Sequence, residues 1–315
     1  MKKSISVCIP CRNEVENIKP LVKEVINFFD QFDKYNFEII FIDNCSDDGT
    51  QNLLKEICIH DKRIKAILNT ANFRYTSSWY AMLQASGDCI ISIPADFQVP
   101  LELLSQMILE WEKGAKVVAL LKKPGVHDRY RIFRKLYYSI SKKLSGNTTL
   151  SGFTGAGLYD KDFIYICKSL NDPFFSLQFM VLHYAYPLVK LIYNEQPRRA
   201  GKSKFSFSSL IDTAIFRYIR ASNIAPHYAI VSGIILGLIS LIISIYYLIR
   251  KIINWNNFPI GIAPLIIGIF LFGAIQLIFL GIIGEYIILI NERQKNKPLV
   301  MEKERINFDD QSIDK

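Results

Sequence analysis

Two long apolar runs near the C-terminal end constrain this chain more than any other feature. Tyr228–Ile249 is 22 residues without a charge, and Phe258–Ile290 is 33 residues with Glu285 as the sole charge. At about 1.5 Å per helical residue the shorter run reaches about 33 Å, which matches a hydrocarbon core of roughly 30 Å. Buried core helices of soluble domains seldom run so long without a charge, so two transmembrane helices are expected within 227–291, at about 228–249 and 260–288. Only residues 250–257 separate them, which makes a hairpin. Arg198, Arg199, Lys202, Lys204, Arg217 and Arg220 precede it and Arg293, Lys295, Lys297, Lys303 and Arg305 follow, whereas the connection holds Arg250 and Lys251. Basic flanks of this kind place both ends in the cytoplasm, at the cell (inner or plasma) membrane. The start, Met-Lys-Lys-Ser, enters a strand-like run with no apolar h-region, so no export signal is expected.

Before the first span, Phe207, Leu210, Ile211, Ala214, Ile215, Tyr218 and Ile219 share one helical face, opposite Ser208, Ser209, Asp212, Arg217 and Arg220. Residues 206–226 therefore read as an amphipathic helix in the membrane interface, with a packing helix as the alternative. The net charge of +9 and mean hydropathy of +0.18 fit a basic protein whose apolar content is concentrated in one region. Nucleic acid is disfavoured as a partner, because much of the charge clusters at the membrane edges. Glu285, near the cytoplasmic end of the second span, is expected to pair with Arg220, His227 or a neighbouring protomer. A two-span hairpin also leaves room for self-association.

Residues 1–205 read as one α/β domain and 292–315 as a charged cytoplasmic tail. Ile5–Ile9, Phe37–Ile42, Ile64–Leu68, Cys89–Ile93 and Val117–Leu121 are β-rich runs, apolar on both faces. They alternate with the amphipathic segments Val15–Phe29, Thr50–Cys58, Thr76–Ala85 and Leu101–Glu110, the pattern of a Rossmann-like, mostly parallel sheet. The six cysteines suit a reducing compartment, and Cys8-Ile9-Pro10-Cys11, within a strand and with no second pair, reads as two buried or half-buried thiols.

In such sheets ligands bind beyond the carboxyl ends of the strands. Three of those ends are unusually polar: Pro10-Cys11-Arg12-Asn13-Glu14, Asp43-Asn44-Cys45-Ser46-Asp47-Asp48-Gly49-Thr50 and Pro94-Ala95-Asp96-Phe97-Gln98. Asp43 could accept the ring N–H of uracil or guanine, or Asp43 or Ser46 could cap the next helix; both are sound chemistry. Asp96 and Gln98, at i and i+2 of a segment read as extended, would project to one side and share a hard cation, Mg²⁺ or Mn²⁺.

These three strand ends, in this order, resemble those of family 2 nucleotide-sugar glycosyltransferases, where P-x-x-N-E-x-x-N, D-D-G-S-x-D-G-T and D-A-D-x-Q are typical. Asn72-Phe73-Arg74, Ser86-Gly87-Asp88 and Pro100-x-x-Leu103-Leu104 resemble the intervening sequence. Arg199-Ala200-Gly201-Lys202-Ser203-Lys204-Phe205 is similar to the R-x-x-G-x-S-K-Y segment of polyprenyl-phosphate glycosyltransferases, the dolichyl-phosphate mannose synthase-like group. Gly284-Glu285-Tyr286 and Lys297-Pro298 look like the end of their second span. The resemblance implies a GT-A fold, a UDP- or GDP-sugar donor, a divalent metal and a polyprenyl (undecaprenyl) phosphate acceptor at the cytoplasmic face, for cell-envelope glycan synthesis or modification. It also implies inversion at the anomeric carbon. It assigns Pro10, Asn13, Glu14, Asp43, Asn44 and Asp96 to the nucleotide sugar and Asp96 and Gln98 to the metal and catalysis. It also gives Ser203 and Lys204 to the acceptor phosphate; Arg199, and Arg131 and Arg134 within a basic cluster with Arg129, Lys122 and Lys123, are second candidates as cations near the membrane.

The chain departs from the pattern at five places, one being the absence of the usual basic or acidic residue near Gln178-Phe179-Met180. Pro94 stands where the first Asp of D-x-D is usual, Asn44 replaces a second Asp, Arg74 replaces a Gly, and Gly155-Ala156-Gly157-Leu158-Tyr159 replaces a Gly-Asp-Phe-Arg segment. Another lipid or glycan acceptor, or a non-catalytic nucleotide-sugar-binding scaffold, are the competing expectations.

Overall fold

The computed structural model describes residues 2–32, 34–123, 150–170, 176–199 and 298–308, with isolated helical positions between 249 and 290. The chain divides into two units, Met1–Ser206 with Lys297–Lys315, and Phe207–Asn296.

In the first unit the expected alternation forms β1 (Lys3–Cys11), α1 (Val15–Asp30), β2 (Tyr35–Asp43), α2 (Thr50–His60), β3 (Ile64–Asn69), α3 (Tyr75–Leu83), β4 (Cys89–Ser92), α4 (Leu103–Glu112) and β5 (Val117–Lys122). Elements not expected from the sequence follow: β6 (Phe153–Asp160), α5 (Lys161–Ser169), α6 (Leu177–Tyr184), β7 (Leu188–Tyr193) and β8 (Glu302–Ile306). The sheet order is β7-β5-β6-β4-β1-β2-β3-β8. Pairing is parallel except around β6 and at the β3–β8 edge.

Alternating side chains feed two cores, as the two-fold period of a strand requires. Ile5, Val7 and Ile9 join Ile39 and Phe41 beneath α1, α2 and α4, whose Leu21, Leu54 and Leu104 are buried against them. Cys8, Ile40, Ile42 and Ile90 face the other way, with Trp79 and Met82 of α3 and Phe163 of α5. Burying each such aliphatic chain contributes about 2 kcal/mol, and both faces are covered.

The segment Gly155–Tyr159 lies inside β6, where Leu158 and Tyr159 have no exposed surface. A Cβ at Gly157 would stand 2.4 Å from the Val118 carbonyl oxygen of the neighbouring strand. Close strand packing accounts for this glycine.

β8 belongs to the stretch read as a charged tail. It pairs antiparallel with β3, placing Ala66 opposite Ile306 and Leu68 opposite Glu304. Lys55 forms an ion pair with Glu304. Asn307, at φ 62°, donates to the carbonyl oxygens of Cys58 at 2.6 Å and Ile64 at 2.8 Å, locking the end of the strand. Val300, just before β8, is buried.

Among the described residues no helix is long and apolar enough to cross a membrane. The first expected span lies outside the described residues except at Ile249, and the second is described at isolated helical positions. The interfacial helix expected at 206–226 also lies outside them.

Candidate active site

The β1–β2 register sets Cys11 opposite Asp43, so the two strands end level and their polar loops leave side by side. Hydrogen bonds stitch the loops together. The Asn13 amide N–H donates to Ser46 Oγ at 2.8 Å, Asn13 Nδ2 to Asp47 Oδ1 at 2.6 Å, and Asp47 N–H returns to Asn13 Oδ1 at 3.1 Å. Glu14 N–H donates to Thr50 Oγ1 at 3.0 Å. Asn13 and Cys45 both sit at positive φ, the tight bends this stitching demands. Pro10 stands in β1 opposite Ile42 and brings no polar side chain to the site.

Asp43 is fully buried, and both its oxygens are engaged within the chain. Oδ2 accepts from Ser46 N–H at 3.0 Å and from Gln51 Nε2 at 2.7 Å, while Oδ1 accepts from Ser46 Oγ. These bonds hold the loop after β2 rather than cap α2, whose first residue follows Gly49 with no side-chain cap. Beside it Asn44, also buried, accepts through Oδ1 from Ser77 Oγ, which in turn accepts from Asn69 Nδ2 at 3.1 Å. Asn69 Oδ1 is buried without a partner among the described residues, a group whose burial costs roughly 1–3 kcal/mol. Arg74, in place of the usual glycine, adopts φ 53° at the start of α3, a conformation that favours glycine.

After β4, Asp96-Phe97-Gln98 forms a turn, which corrects the extended segment expected from sequence. Phe97 takes φ 61°, and Asp96 Oδ1 captures the N–H of Gln98 at 3.1 Å, folding the chain back. The other oxygen, Oδ2, meets Arg198 Nη2 at 3.1 Å, and Arg198 Nη1 stands 4.0 Å from Glu14 Oε1. One guanidinium thus spans two carboxylates from different strand ends. Asn17 Nδ2 donates to Glu14 Oε2 at 2.5 Å and orients it from the first turn of α1. Burial pushes the Glu14 carboxyl above the usual range, with Asp96 and Asp48 adding to the rise and Asn17 and Arg198 opposing it.

The segment carrying Arg198 is held to the same turn by its neighbours. Gln196 N–H donates to the Gln98 carbonyl at 3.1 Å, and the Arg199 guanidinium stacks 4.6 Å over the Phe97 ring while pairing with Glu24 at 2.8 Å. Arg199, expected at the acceptor, is more than half exposed and engaged there. The site arginine that the sequence reading missed is Arg198. Its signal was available: in R-x-x-G the arginine precedes the glycine by three, and three before Gly201 is Arg198. Ser203, Lys204, Arg131 and Arg134 lie outside the described residues.

Cys8 and Cys11 are buried free thiols, both pushed well above their ordinary pKa, chiefly by burial. Among the described residues no group of three or more His, Cys, Asp or Glu side chains is arranged to hold a metal. The donors that do converge, Asp96 and Glu14, are carboxylate oxygens. That set fits Mg²⁺ or Mn²⁺, which commonly bind through one or two carboxylates and complete their shell with substrate phosphates.

The SfII prophage-derived bactoprenol glucosyl transferase of Shigella flexneri is 27% identical over 299 residues, covering 93% of this chain and 96% of that protein. The prophage bactoprenol glucosyl transferase homolog of Escherichia coli (strain K12) is 26% identical, covering 90% and 93%. Among solved structures, mannosyl-3-phosphoglycerate synthase from Rubrobacter xylanophilus is 16% identical with a TM-score of 0.47, covering 70% of this chain and 74% of that one. The family described as Glycosyl transferase family 2 matches residues 6–166, just over half of the 315 residues. With its polar strand ends gathered around Asp96 on an α/β sheet, the chain belongs to glycosyl transferase family 2, as a nucleotide-sugar-dependent glycosyltransferase.

Proposed function

We propose that the protein transfers a sugar from a UDP- or GDP-sugar to a polyprenyl phosphate, such as undecaprenyl phosphate, at the cytoplasmic face of the cell membrane. The observation that carries this is end-to-end similarity to bactoprenol glucosyl transferases, which extends through the apolar C-terminal region as well as the sheet. The placement of β8 supports the membrane reading. The chain leaves the first unit at Ser206 and returns at Lys297 to add a strand to the same sheet. An even number of crossings between those points satisfies that return, as a hairpin would. Leu265, Ile269, Phe272, Ile283, Ile287 and Ile290, at helical positions and each more than half exposed, suit a lipid surround.

The chemistry asks little of a general base. A phosphomonoester has a second pKa near about 6, so a lipid phosphate is largely dianionic at neutral pH and already nucleophilic. The greater demand is stabilising charge on the departing nucleoside diphosphate. Asp96, Gln98 and Glu14 would hold a divalent cation, which as a Lewis acid supplies that stabilisation. Arg198 brings a fixed positive charge to the same place. Ser203 and Lys204, at the membrane edge of the chain, are proposed to receive the acceptor phosphate.

The test incubates membranes containing the protein with undecaprenyl phosphate, Mg²⁺ or Mn²⁺ and radiolabelled UDP- and GDP-sugars, then extracts lipid. Label is expected in the lipid and is expected to vanish with Asp96→Ala and with chelator. A non-catalytic nucleotide-sugar binder is the second reading, favoured by Pro94, which offers no side-chain oxygen where relatives carry an acid. Substantial wild-type turnover excludes it.

A further inference from the structure

We infer that Arg198 is a resident cation of the metal site, which bridges Asp96 and Glu14 in the metal-free enzyme and yields Asp96 when a divalent ion enters. The inference rests on the glycosyltransferase reading. Asp96 and Glu14 come from different strand ends, and their side chains are only 7% and 13% exposed. Two carboxylates brought together away from water repel one another and lose hydration, so a cation placed between them is favoured. Without metal, that cation is the Arg198 guanidinium, 3.1 Å from Asp96 Oδ2 and 4.0 Å from Glu14 Oε1.

Release of the guanidinium does not require the segment to leave. The backbone bond from Gln196 to Gln98 and the stacking of Arg199 on Phe97 hold 196–199 to the turn independently of the ion pair. The exchange is therefore a side-chain movement of a residue that is itself 28% exposed. A diphosphate entering with the metal offers Arg198 a new anionic partner, of the bidentate kind that guanidinium favours. Metal and nucleotide should then assist each other's binding, because each removes part of the cost of breaking the resident pair.

The test uses the full-length protein in detergent and measures Mn²⁺ binding by electron paramagnetic resonance, with and without UDP. Arg198→Met is expected to bind Mn²⁺ about tenfold more tightly than wild type without nucleotide, and to show a smaller gain from UDP. Equal or weaker binding by Arg198→Met overturns the inference, as does a gain from UDP as large as in wild type. An independent arm needs no variant. Phenylglyoxal labelling of wild-type Arg198, read by peptide mass spectrometry, is expected to speed up several-fold when Mg²⁺ is added without nucleotide, and an unchanged or slower rate overturns the inference. Label transfer to lipid in the wild type separates the two levels. If these arms fail while transfer proceeds, the inference alone is wrong; if no sugar is transferred from any donor, the glycosyltransferase reading fails instead.

Discussion

Glu38 illustrates how a single buried charge is made tolerable in this sheet. It accepts from Ser6 Oγ at 2.5 Å and Ser86 N–H at 2.7 Å, and Lys65 stands 2.7 Å from its other oxygen. Burial alone would raise its pKa, but the Lys65, Ser6 and Ser86 bonds overrule it and hold the carboxyl below the usual range. The stability it contributes is therefore present above the ordinary value of about 4.5 and is lost as pH falls through the lowered one. Glu38→Gln is expected to cost roughly 2–3 kcal/mol at pH 7, measured by thermal unfolding in detergent, and to remove that part of the acid sensitivity. Arg74→Gly is expected to act in the opposite direction. Relieving φ 53° at the start of α3 should offset the entropy cost of glycine and leave stability unchanged or up to about 1 kcal/mol higher by the same measurement. At this scale the sequence revealed Asp96, Glu14 and Asn13 through local motifs, since each sits in a short polar run at a strand end. Arg198 was legible as the arginine of R-x-x-G, but its partner was not, because only the fold brings it to Asp96.

At the scale of elements, β8 closes an edge that would otherwise expose the backbone of β3. Asn307→Ala removes the side-chain hydrogen bonds to the Cys58, Ile64 and Asp61 carbonyls and the one accepted from Lys62 Nζ, and leaves a β-carbon at φ 62° without the bonds that stabilise it. It is expected to cost about 2 kcal/mol and to make the tail more sensitive to protease in a time course, leaving Asp96 chemistry intact. The five strands β1 to β5 were legible because they are apolar on both faces and bounded by polar turns. β6 was not, because Gly155 and Gly157 dilute its β signal while strand packing demands glycine at 157. β8 was hidden for another reason: Glu302-Lys303-Glu304-Arg305 is composed as a solvated tail, and an edge strand keeps its charges outward. The turn at Asp96 was misread as extended because a side-chain capture of the Gln98 N–H leaves no trace in residue spacing.

At the scale of the whole molecule, the chain leaves the sheet-bearing unit at Ser206, passes through an apolar region and returns at Lys297 to add a strand to the same sheet. A fluorescent protein fused after Lys315 is expected to fold and fluoresce on the cytoplasmic side, as is one fused before Met1. Identifying the product distinguishes a lipid phosphate acceptor from any other. Purified protein, one donor sugar and Mg²⁺ would be given either undecaprenyl phosphate or undecaprenol, and the extracted lipid weighed by mass spectrometry. The expected result is undecaprenyl phosphate heavier by one sugar residue, with no product from the alcohol. Sugar appearing on the alcohol, or on a glycan while the lipid phosphate stays unchanged, would contradict the account.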